Sequence, residues 1–389
     1  MSTSRLFSPL VVGNVTLEQR IALAPLTRFR SSGDHVPSDL NLEYYSQRAS
    51  EPGTLLVTEG TFMSAAAGGY ANVPGIYTAA QAAAWRTITD AVHARGSFIF
   101  CQLWALGRAA NPAVAAQEGI SIKSASAVPI GDKYPVPEAL TTEEIAQTVR
   151  DFAAAARLAI EVAGFDGVEI HAANGYLLDQ FLQDTCNKRG DGYGGSVANR
   201  SRLAVEVVDA VVEAVGPART AIRISPHSTY QAMGMADPVS QFSDLIARIA
   251  LLGLAYLHVV QPFASDDGNA AAADAPETPQ ETVDFVARLW AGTGSTLLVA
   301  GGLASAADAR DLVDERFAGQ NVVAVFGRYF IANPDLVFRV REGVELAGYD
   351  KTTFYKRQSP DGYVDYPFSE QYEALHGAQA RGGAVRAQI

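Results

Sequence analysis

The chain has 389 residues, of which 48% are hydrophobic and 19% charged, a composition typical of a globular protein with a sizeable core. A formal net charge of -12 and the lack of any Lys/Arg-rich run argue against a nucleic-acid partner. No stretch approaches the ~20 apolar residues of a membrane span, and the N-terminal segment lacks the apolar part of a secretory signal. Cys101 and Cys186 form no disulfide framework or metal cluster, so we expect a cytoplasmic protein without a metal or membrane partner.

Eight short apolar runs alternate along the chain with longer stretches of helical periodicity. Continuous apolarity is typical of strands covered on both faces, and alternation with helices predicts a parallel sheet. The predicted strands are 21–26, 55–60, 98–103, 167–171, 221–225, 256–260, 297–301 and 322–327. The predicted helices are 79–94, 142–163, 199–215, 239–252, 279–291, 305–313 and 334–342. Because no change of composition divides the chain, we expect residues 1–389 to form one α/β domain, a (β/α)8 TIM barrel.

Four segments outside the predicted strands carry signals of their own. Residues 11–15, Val-Val-Gly-Asn-Val, predict a tight β-hairpin ahead of the first strand, which would close the lower end of the barrel. Thr141 and Glu144 form the sequence pattern of a helix-capping box. Residues 105–140 and 261–278 are long connections rich in Ala, Gly and Pro after the third and sixth strands. Both connections rise from the C-terminal face of the barrel and are candidate lids.

Unusual polar or glycine residues occur where each predicted strand ends. They are Thr27, Gly60, Gln102, His171, Arg223, Gln261, Gly301 and Arg328. Since the C-terminal ends of parallel barrel strands meet at one face, these residues predict a single site there.

Arg223 lies inside the apolar run Ala-Ile-Arg-Ile-Ser, where a charged side chain is costly unless it is paired. One interpretation is a buried ion pair with Glu169 or Glu59. The other is a cation beside a ligand that becomes anionic, such as a flavin whose reduced ring carries negative charge. The residues alone leave both open.

Gly301-Gly302 after the seventh strand and Gly327-Arg328 after the eighth predict a phosphate site. Barrels commonly bind a phosphate at these two loops through backbone N–H groups, and an arginine adds a charge-assisted hydrogen bond. Glycines that only permit tight turns are the alternative. Their occurrence after both strands favours phosphate binding.

His171, Asn174 and Tyr176 follow the fourth strand within six residues. Two hydrogen-bond donors on a developing oxyanion, together with one proton source, are what conjugate reduction of a carbonyl compound requires. A single histidine at a strand end is more often structural, but the three together indicate catalysis. No P-loop, Rossmann, zinc or serine-hydrolase motif is present, so a nicotinamide cofactor would enter the site as a substrate.

Four segments of the chain resemble the old yellow enzymes, which are flavin-dependent ene-reductases. They are APLTRFR (24–30), CQLWALGR (101–108), the long block 164–200, and FGRYFIANPDL (326–336). The resemblance spans nearly the whole chain, and DGYVDYP (361–367) is similar to the C-terminal segment of the eukaryotic branch. Thr27 stands where the other large branch has Cys, which indicates the yeast- and plant-like group, with a fungal type. Arg108 and His227 depart from the bulkier apolar or aromatic residues expected at their positions.

The resemblance implies a non-covalently bound FMN, with NADPH or NADH as a diffusible hydride donor. The residues it implies for FMN binding are Pro25, Leu26, Thr27, Gly60, Gln102, Arg223, Gly301, Gly302, Phe326, Gly327 and Arg328. It also implies that His171 and Asn174 bind the carbonyl or nitro oxygen of a substrate and that Tyr176 donates a proton. The residues implied to shape the substrate pocket are Trp104, Phe263 and Tyr355.

The resemblance further implies an NADPH dehydrogenase or enoate reductase acting on enones, enals, maleimides and nitroalkenes, as a monomer or homodimer. Three alternatives stay open. A flavin-dependent isomerase or dehydrogenase of secondary metabolism could use the same scaffold, although Tyr176 favours reduction. A flavin-binding stress protein without a dedicated substrate and a flavin-free barrel enzyme acting on phosphorylated metabolites are the others.

Overall fold

The computed structural model describes residues 4–261 and 281–377. Its core is a barrel of eight parallel strands, numbered here from first to eighth in chain order: Ile21–Leu23, Leu55–Val57, Phe98–Trp104, Gly167–Ala172, Thr220–Ile224, Tyr256–Val260, Thr296–Ala300 and Val322–Phe326. Each strand pairs with the next, and the eighth pairs with the first, so the sheet is closed. The eight predicted strands and the (β/α)8 barrel are therefore confirmed.

Both faces of the strands are buried, which explains their continuous apolarity. Side chains such as Leu55, Phe100 and Leu298 point into the barrel, where they pack in one cluster. Their neighbours, such as Leu56 and Val299, pack in a second cluster that includes residues of the surrounding helices. Because both faces are buried, apolar side chains are not restricted to alternate positions along a strand.

The seven predicted helices are present, with small differences at their ends. They are Ala79–His93, Thr142–Arg157, Val197–Val215, Pro238–Ile249, Glu281–Trp290, Ala306–Arg310 and Leu336–Glu342. A wider helical turn extends two of them, over Leu158–Val162 and Asp311–Arg316. The predicted capping box is also present, since Thr141 Oγ1 accepts from the Glu144 N–H and Glu144 Oε2 accepts from the Thr141 N–H.

Five further helices were not predicted. They are Asp39–Arg48, Pro112–Glu118, Leu177–Leu182, Arg328–Ala332 and Glu370–His376. The first of them buries Asn41, Gln47 and Arg48 together with Tyr44 and Tyr45, so its buried face is mixed and shows no continuous apolar periodicity.

The predicted hairpin closes the lower end of the barrel. Its strands Leu10–Val12 and Val15–Leu17 pair antiparallel, and their buried side chains join the cluster inside the barrel. Gly13 at the turn has a φ of +57°, and a Cβ there would lie 2.0 Å from the Ala218 carbonyl oxygen. Only glycine is compatible with this turn.

The connection after the third strand is long, as predicted, and has structure of its own. It contains the helix Pro112–Glu118 and a short parallel pair, Lys123–Ser124 with Glu138–Ala139. The predicted connection 261–278 lies outside the described residues except for Gln261. The one-domain organisation of residues 1–389 stays a prediction. Across the described ranges, no helix is both long enough and apolar enough to span a membrane.

Candidate active site

Strand register brings the predicted polar residues together at the C-terminal end of the barrel. Arg223 on the fifth strand lies beside His171 on the fourth and His258 on the sixth. One layer lower, Glu169 accepts hydrogen bonds from Gln102 Nε2 at 2.7 Å and is 2.8 Å from His258 Nδ1. The strands thus form a buried polar network beneath the upper end of the barrel, which we call the mouth.

Arg223 is buried, and its Nε has no hydrogen-bond partner among the described residues. Burial lowers the pKa of its guanidinium, against the opposing effect of Glu169. The predicted ion pair with Glu169 or Glu59 is not formed in the described structure. Glu169 contacts Gln102 and His258 instead, and Glu59 is hydrogen-bonded to Asn41. An unpartnered guanidinium at the mouth fits an anionic ligand, such as a reduced flavin.

Two of the three glycines predicted to bind phosphate adopt backbone conformations that favour glycine. Gly301 and Gly302 have φ values of +103° and +73°, and the Gly301 carbonyl oxygen accepts a hydrogen bond from Gln261. Gly327 directly precedes the short helix that begins at Arg328, which is half-buried. This geometry is compatible with phosphate binding on the main chain, and equally with the tight-turn alternative.

The remaining residues predicted to bind FMN follow the first two strands or end the eighth. Pro25 is buried, and Leu26 and Thr27 are half-buried, directly above the first strand. A Cβ on Gly60 would lie 2.4 Å from the Trp104 ring, so this glycine makes room for the indole. The Phe326 side chain is buried in the core between barrel and helices, so a cofactor would meet its main chain only.

His171 is held as a neutral donor. Its Nδ1 accepts a hydrogen bond from the Ala173 N–H at 3.3 Å, which assigns the ring hydrogen to Nε2. Burial, followed by the positive charge of Arg223, holds its pKa well below the usual value of 6.5. The imidazole therefore offers one N–H to a substrate over the whole neutral pH range.

The chain reverses direction between His171 and Tyr176, which brings the two side chains together. Asn174 is left-handed with a φ of +56°, and its N–H donates to Ser225 Oγ at 2.7 Å. Gly175 is also left-handed, and its N–H donates to Asp179 Oδ2 at 2.8 Å. The ring of Tyr176 then lies 5.1 Å from that of His171, and burial raises the pKa of its hydroxyl well above 10. Direct contact joins His171 and Tyr176, and Asn174 lies in the turn between them.

An aromatic wall extends from these residues to the rim of the mouth. Trp104 stacks on His171 at 6.0 Å and meets the Tyr176 ring edge-on at 4.7 Å. The Tyr70 ring extends the wall, with its centroid 5.9 Å from that of the Trp104 ring. Phe29 follows at 6.1 Å from Tyr70 and 5.7 Å from Tyr355, which is 64% exposed. Trp104 and Tyr355 are thus the inner and outer ends of one wall.

Phe263, the third residue predicted to shape the pocket, lies outside the described residues. The sequence reasoning did not single out Phe29 and Tyr70, although both belong to the wall. For Phe29 a signal exists, because it directly follows the strand-end residues 25–27 in the segment that resembles the old yellow enzymes.

Two arginines flanking Phe29 bind a late segment of the chain. Their guanidinium groups donate to main-chain carbonyl oxygens of Thr353, Phe354, Ser359, Asp361 and Gly362. Arg30 provides most of these bonds and Arg28 the remainder. Phe29 between them is left-handed, with a φ of +59°. The segment 353–362, which carries Tyr355, is therefore fixed to the chain directly after the first strand.

The two departures from the resemblance have different surroundings. Arg108 is buried and donates to the carbonyl oxygens of Val128, Pro129 and Gln231. His227 Nε2 is buried without a partner in the described structure, and burial lowers the pKa of its ring. Arg108 thus links two loops, whereas His227 offers an unused nitrogen.

The chain is similar to known proteins in both sequence and structure. A model of the NADH:flavin oxidoreductase / NADH oxidase family matches residues 5–347. The chain is 50% identical over 378 residues to a chanoclavine-I aldehyde reductase of Penicillium roqueforti, covering 97% of this chain and 100% of that protein. It is 49% identical over 369 residues to an NADP-dependent oxidoreductase of Aspergillus flavus, covering 95% and 97%. The crystal structure of an old yellow enzyme from a Pichia species is similar with a TM-score of 0.86 and 39% identity, over 94% of each chain.

Proposed function

The chain belongs to the NADH:flavin oxidoreductase / NADH oxidase family, and from this premise we propose that it is an FMN-dependent ene-reductase. The resemblance to the old yellow enzymes is confirmed by this match and by the similar Pichia structure. The protein is accordingly an oxidoreductase of a flavin-dependent family. Our proposal adds the bound cofactor, the hydride donor NADPH or NADH, and an activated alkene as the substrate.

The residues at the mouth fit FMN. Arg223 presents a buried guanidinium without a partner in the described structure, which suits a flavin ring that becomes anionic on reduction. Gly301, Gly302, Gly327 and Arg328 would hold the phosphate, while Pro25, Leu26, Thr27, Gly60 and Gln102 would line the ring. When bound, FMN supplies a two-electron carrier that accepts hydride from NAD(P)H and can return it to an alkene.

The observation that carries the proposal is the packing of His171 and Tyr176 against each other and against Trp104, with Asn174 in the turn between them. Neutral His171 has its Nε2–H for a substrate oxygen, and the half-buried Asn174, in the turn between His171 and Tyr176, has a side-chain amide as a second donor. Two donors on one carbonyl or nitro oxygen withdraw electrons from the conjugated double bond. The β-carbon then becomes the electrophilic position that accepts hydride.

The separations that define this group are those between rings, 5.1 Å for His171 and Tyr176 and 4.7 Å for Trp104 and Tyr176.

Tyr176 would supply the proton. Burial keeps its hydroxyl protonated at neutral pH, because the pKa is raised well above 10. In the proposed step the O–H bond of Tyr176 breaks and a C–H bond forms at the α-carbon, while hydride adds to the β-carbon. The Tyr176 ring is held against Trp104 and His171, so the proton comes from a fixed direction.

Reduction is favoured over isomerisation by the presence of Tyr176 and by the relative from Penicillium roqueforti, which is named a reductase of an aldehyde. An α,β-unsaturated aldehyde is therefore included among the substrates that we propose. An isomerase would convert an alkene without net oxidation of NADPH, and a flavin-binding protein without a substrate would leave the alkene unchanged.

The deciding experiment is an anaerobic visible spectrum of the purified protein, recorded before and after NADPH and then 2-cyclohexenone. We expect a flavin band that bleaches with NADPH and returns with the enone. A band that bleaches but does not return would retain the cofactor and reject enone reduction. A colourless protein that FMN cannot reconstitute would contradict the proposal as a whole.

A further inference from the structure

The loop after the fifth strand has an unusual backbone close to the proposed proton donor. Gln231 and Ala232 are consecutive residues with φ values of +56° and +58°. A residue with a Cβ is unfavourable in this left-handed region, and it persists only where the surrounding structure imposes it. Such strain is found most often at functional sites.

Arg108 holds this backbone in place. Its Nη2 donates to the Gln231 carbonyl oxygen at 2.8 Å, while its Nη1 donates to the carbonyl oxygens of Val128 and Pro129. The guanidinium is buried and thus connects the long loop after the third strand with the loop after the fifth. The position of Gln231 is consequently fixed by a side chain far from it in sequence.

The Cβ of Gln231 lies against the turn that carries Tyr176. A Cβ on Gly175 would lie 2.8 Å from the Gln231 Cβ, so the two chains are in close contact directly before Tyr176. Both amide atoms of Gln231 are buried, and neither has a hydrogen-bond partner within standard distance in the described structure. A buried amide without a partner is unfavourable, which calls for an explanation.

The electrostatic surroundings of Tyr176 supply an explanation for this buried amide. Burial raises the pKa of the Tyr176 hydroxyl, and Tyr70, Tyr230 and Tyr355 raise it further, whereas the Gln231 amide lowers it. Arg223 is a cation whose field also reaches Tyr176, and the adjacent His171 is neutral. In the proposed function Arg223 faces the flavin, which leaves the Gln231 amide as the neighbouring group that favours the phenolate form of Tyr176.

We propose that Gln231 is a positioning residue whose side-chain N–H donates to the phenolate oxygen of Tyr176 as the proton leaves. The inference rests on the proposed function, in which Tyr176 protonates the α-carbon. The O–H bond of Tyr176 breaks, its proton forms the new C–H bond, and the electron pair stays on the phenol oxygen until solvent returns a proton. A charge-assisted hydrogen bond stabilises that oxygen during the interval.

The kinetic test compares Gln231→Met, which keeps the chain length but removes the amide, with Ala232→Gly, which relieves the neighbouring strain and leaves the amide. In holoenzyme reduced with NADPH, we expect Gln231→Met to slow reoxidation by 2-cyclohexenone about tenfold or more and to increase its solvent deuterium isotope effect. Reduction of FMN by NADPH should stay within about twofold in both variants. Ala232→Gly should leave both half-reactions unchanged.

A second measurement does not depend on alkene reduction. In holoenzyme labelled with 13C at tyrosine Cζ, the Tyr176 resonance is identified by its loss in Tyr176→Phe, and its chemical shift reports hydrogen bonding at the hydroxyl. We expect it to move in Gln231→Met and not in Ala232→Gly. Gln231→Gly removes the amide and relieves the strain, and gives the same comparison if Gln231→Met does not fold.

The outcomes separate the two proposals. An unchanged Tyr176 resonance in the Gln231 variants would overturn the role of Gln231, and so would equal slowing of both half-reactions. A resonance that moves in an enzyme that cannot reduce the enone would reject the proposed function while retaining the contact between Gln231 and Tyr176.

Discussion

The two ends of the barrel are built from the same eight strands and differ in how completely their groups are partnered. At the lower end, the hairpin side chains Leu10, Val12, Val15 and Leu17 pack into an apolar cluster. At the mouth, buried nitrogens lack partners in the described structure, and non-glycine residues occupy left-handed conformations. The lower end is therefore organised for stability and the mouth for chemistry, as in other barrels of this type. Substitutions at the two ends should separate these properties.

The largest effect is expected at the mouth. Tyr176→Phe should slow reoxidation of the reduced enzyme by an enone about 10²- to 10⁴-fold, because it removes the proton source. Reduction of FMN by NADPH does not need that proton and should continue at the original rate. Stopped-flow measurement of each half-reaction checks this, and equal slowing of both would reject the role of Tyr176.

The second effect is expected at the lower end. Leu17→Ala removes a fully buried side chain from the apolar cluster and should reduce the free energy of unfolding by about 2–5 kcal/mol. Both half-reactions should keep their rates at temperatures where the variant is folded. Urea denaturation together with stopped-flow kinetics tests the separation, which a clear loss of rate in folded Leu17→Ala would contradict.

Arg223 provides the third comparison. Arg223→Met should weaken FMN binding about 100-fold, as expected for loss of a charge-assisted hydrogen bond of about 3 kcal/mol. Arg223→Lys, which keeps the charge, should bind FMN more tightly than Arg223→Met. Fluorescence titration of the apoproteins with FMN measures both, and unchanged affinity in Arg223→Met would show that Arg223 does not contact the flavin.

The smallest effect concerns pH and the two ends of the fourth strand. At the upper end, the pKa of His171 is lowered in the folded protein, so below about pH 6.5 the unfolded state binds the extra proton and stability falls. Near the lower end, a hydrogen bond that His93 donates to Asp166 raises the pKa of His93. The contribution of His93 to stability is therefore fully present below about pH 6.5 and is lost as the pH rises through the raised pKa.

Urea denaturation between about pH 5 and 8 should therefore give opposite slopes for these histidines. In the original protein, His171 should reduce the free energy of unfolding by up to about 1.4 kcal/mol for each pH unit of acidification. The His171→Asn variant should lack this dependence on pH. His93→Asn should show a weaker change of the opposite sign, because His93 is partly exposed. Parallel slopes in the two variants would contradict the assignment.

The strands could be predicted because both of their faces are buried, so their sequence reads as continuous apolar runs. The helix Asp39–Arg48 could not, since its buried face mixes Tyr44 and Tyr45 with the polar residues Asn41, Gln47 and Arg48. Those polar groups are satisfied by contacts distant in sequence, as in the hydrogen bond from Arg48 to the Ile331 carbonyl oxygen. Local periodicity contains no information on such partners.

The residues at the strand ends could be predicted to form one site, because the strands of a parallel barrel end at the same face. Glu169, Gln102 and Arg223 were recognised as polar residues in apolar strands, but their pairing was not, because His258 competes for Glu169. The contact of Gln231 with the turn before Tyr176 depends on a loop conformation that Arg108 holds. The sequence gives no direct indication of that conformation, because neither Gln231 nor Ala232 is a residue that favours a left-handed backbone.

The bonds from Arg28 and Arg30 to residues 353–362 have a consequence for how the protein is made. The Arg28 guanidinium and the Gly362 carbonyl oxygen are separated by 334 residues of chain. A ribosome therefore synthesises one half of this contact long before the other, and a nascent chain that stops short of residue 353 lacks all five carbonyl acceptors of the late segment. Completion of the aromatic wall thus coincides with completion of this segment, so we expect chains truncated before it to be inactive and more exposed to proteolysis.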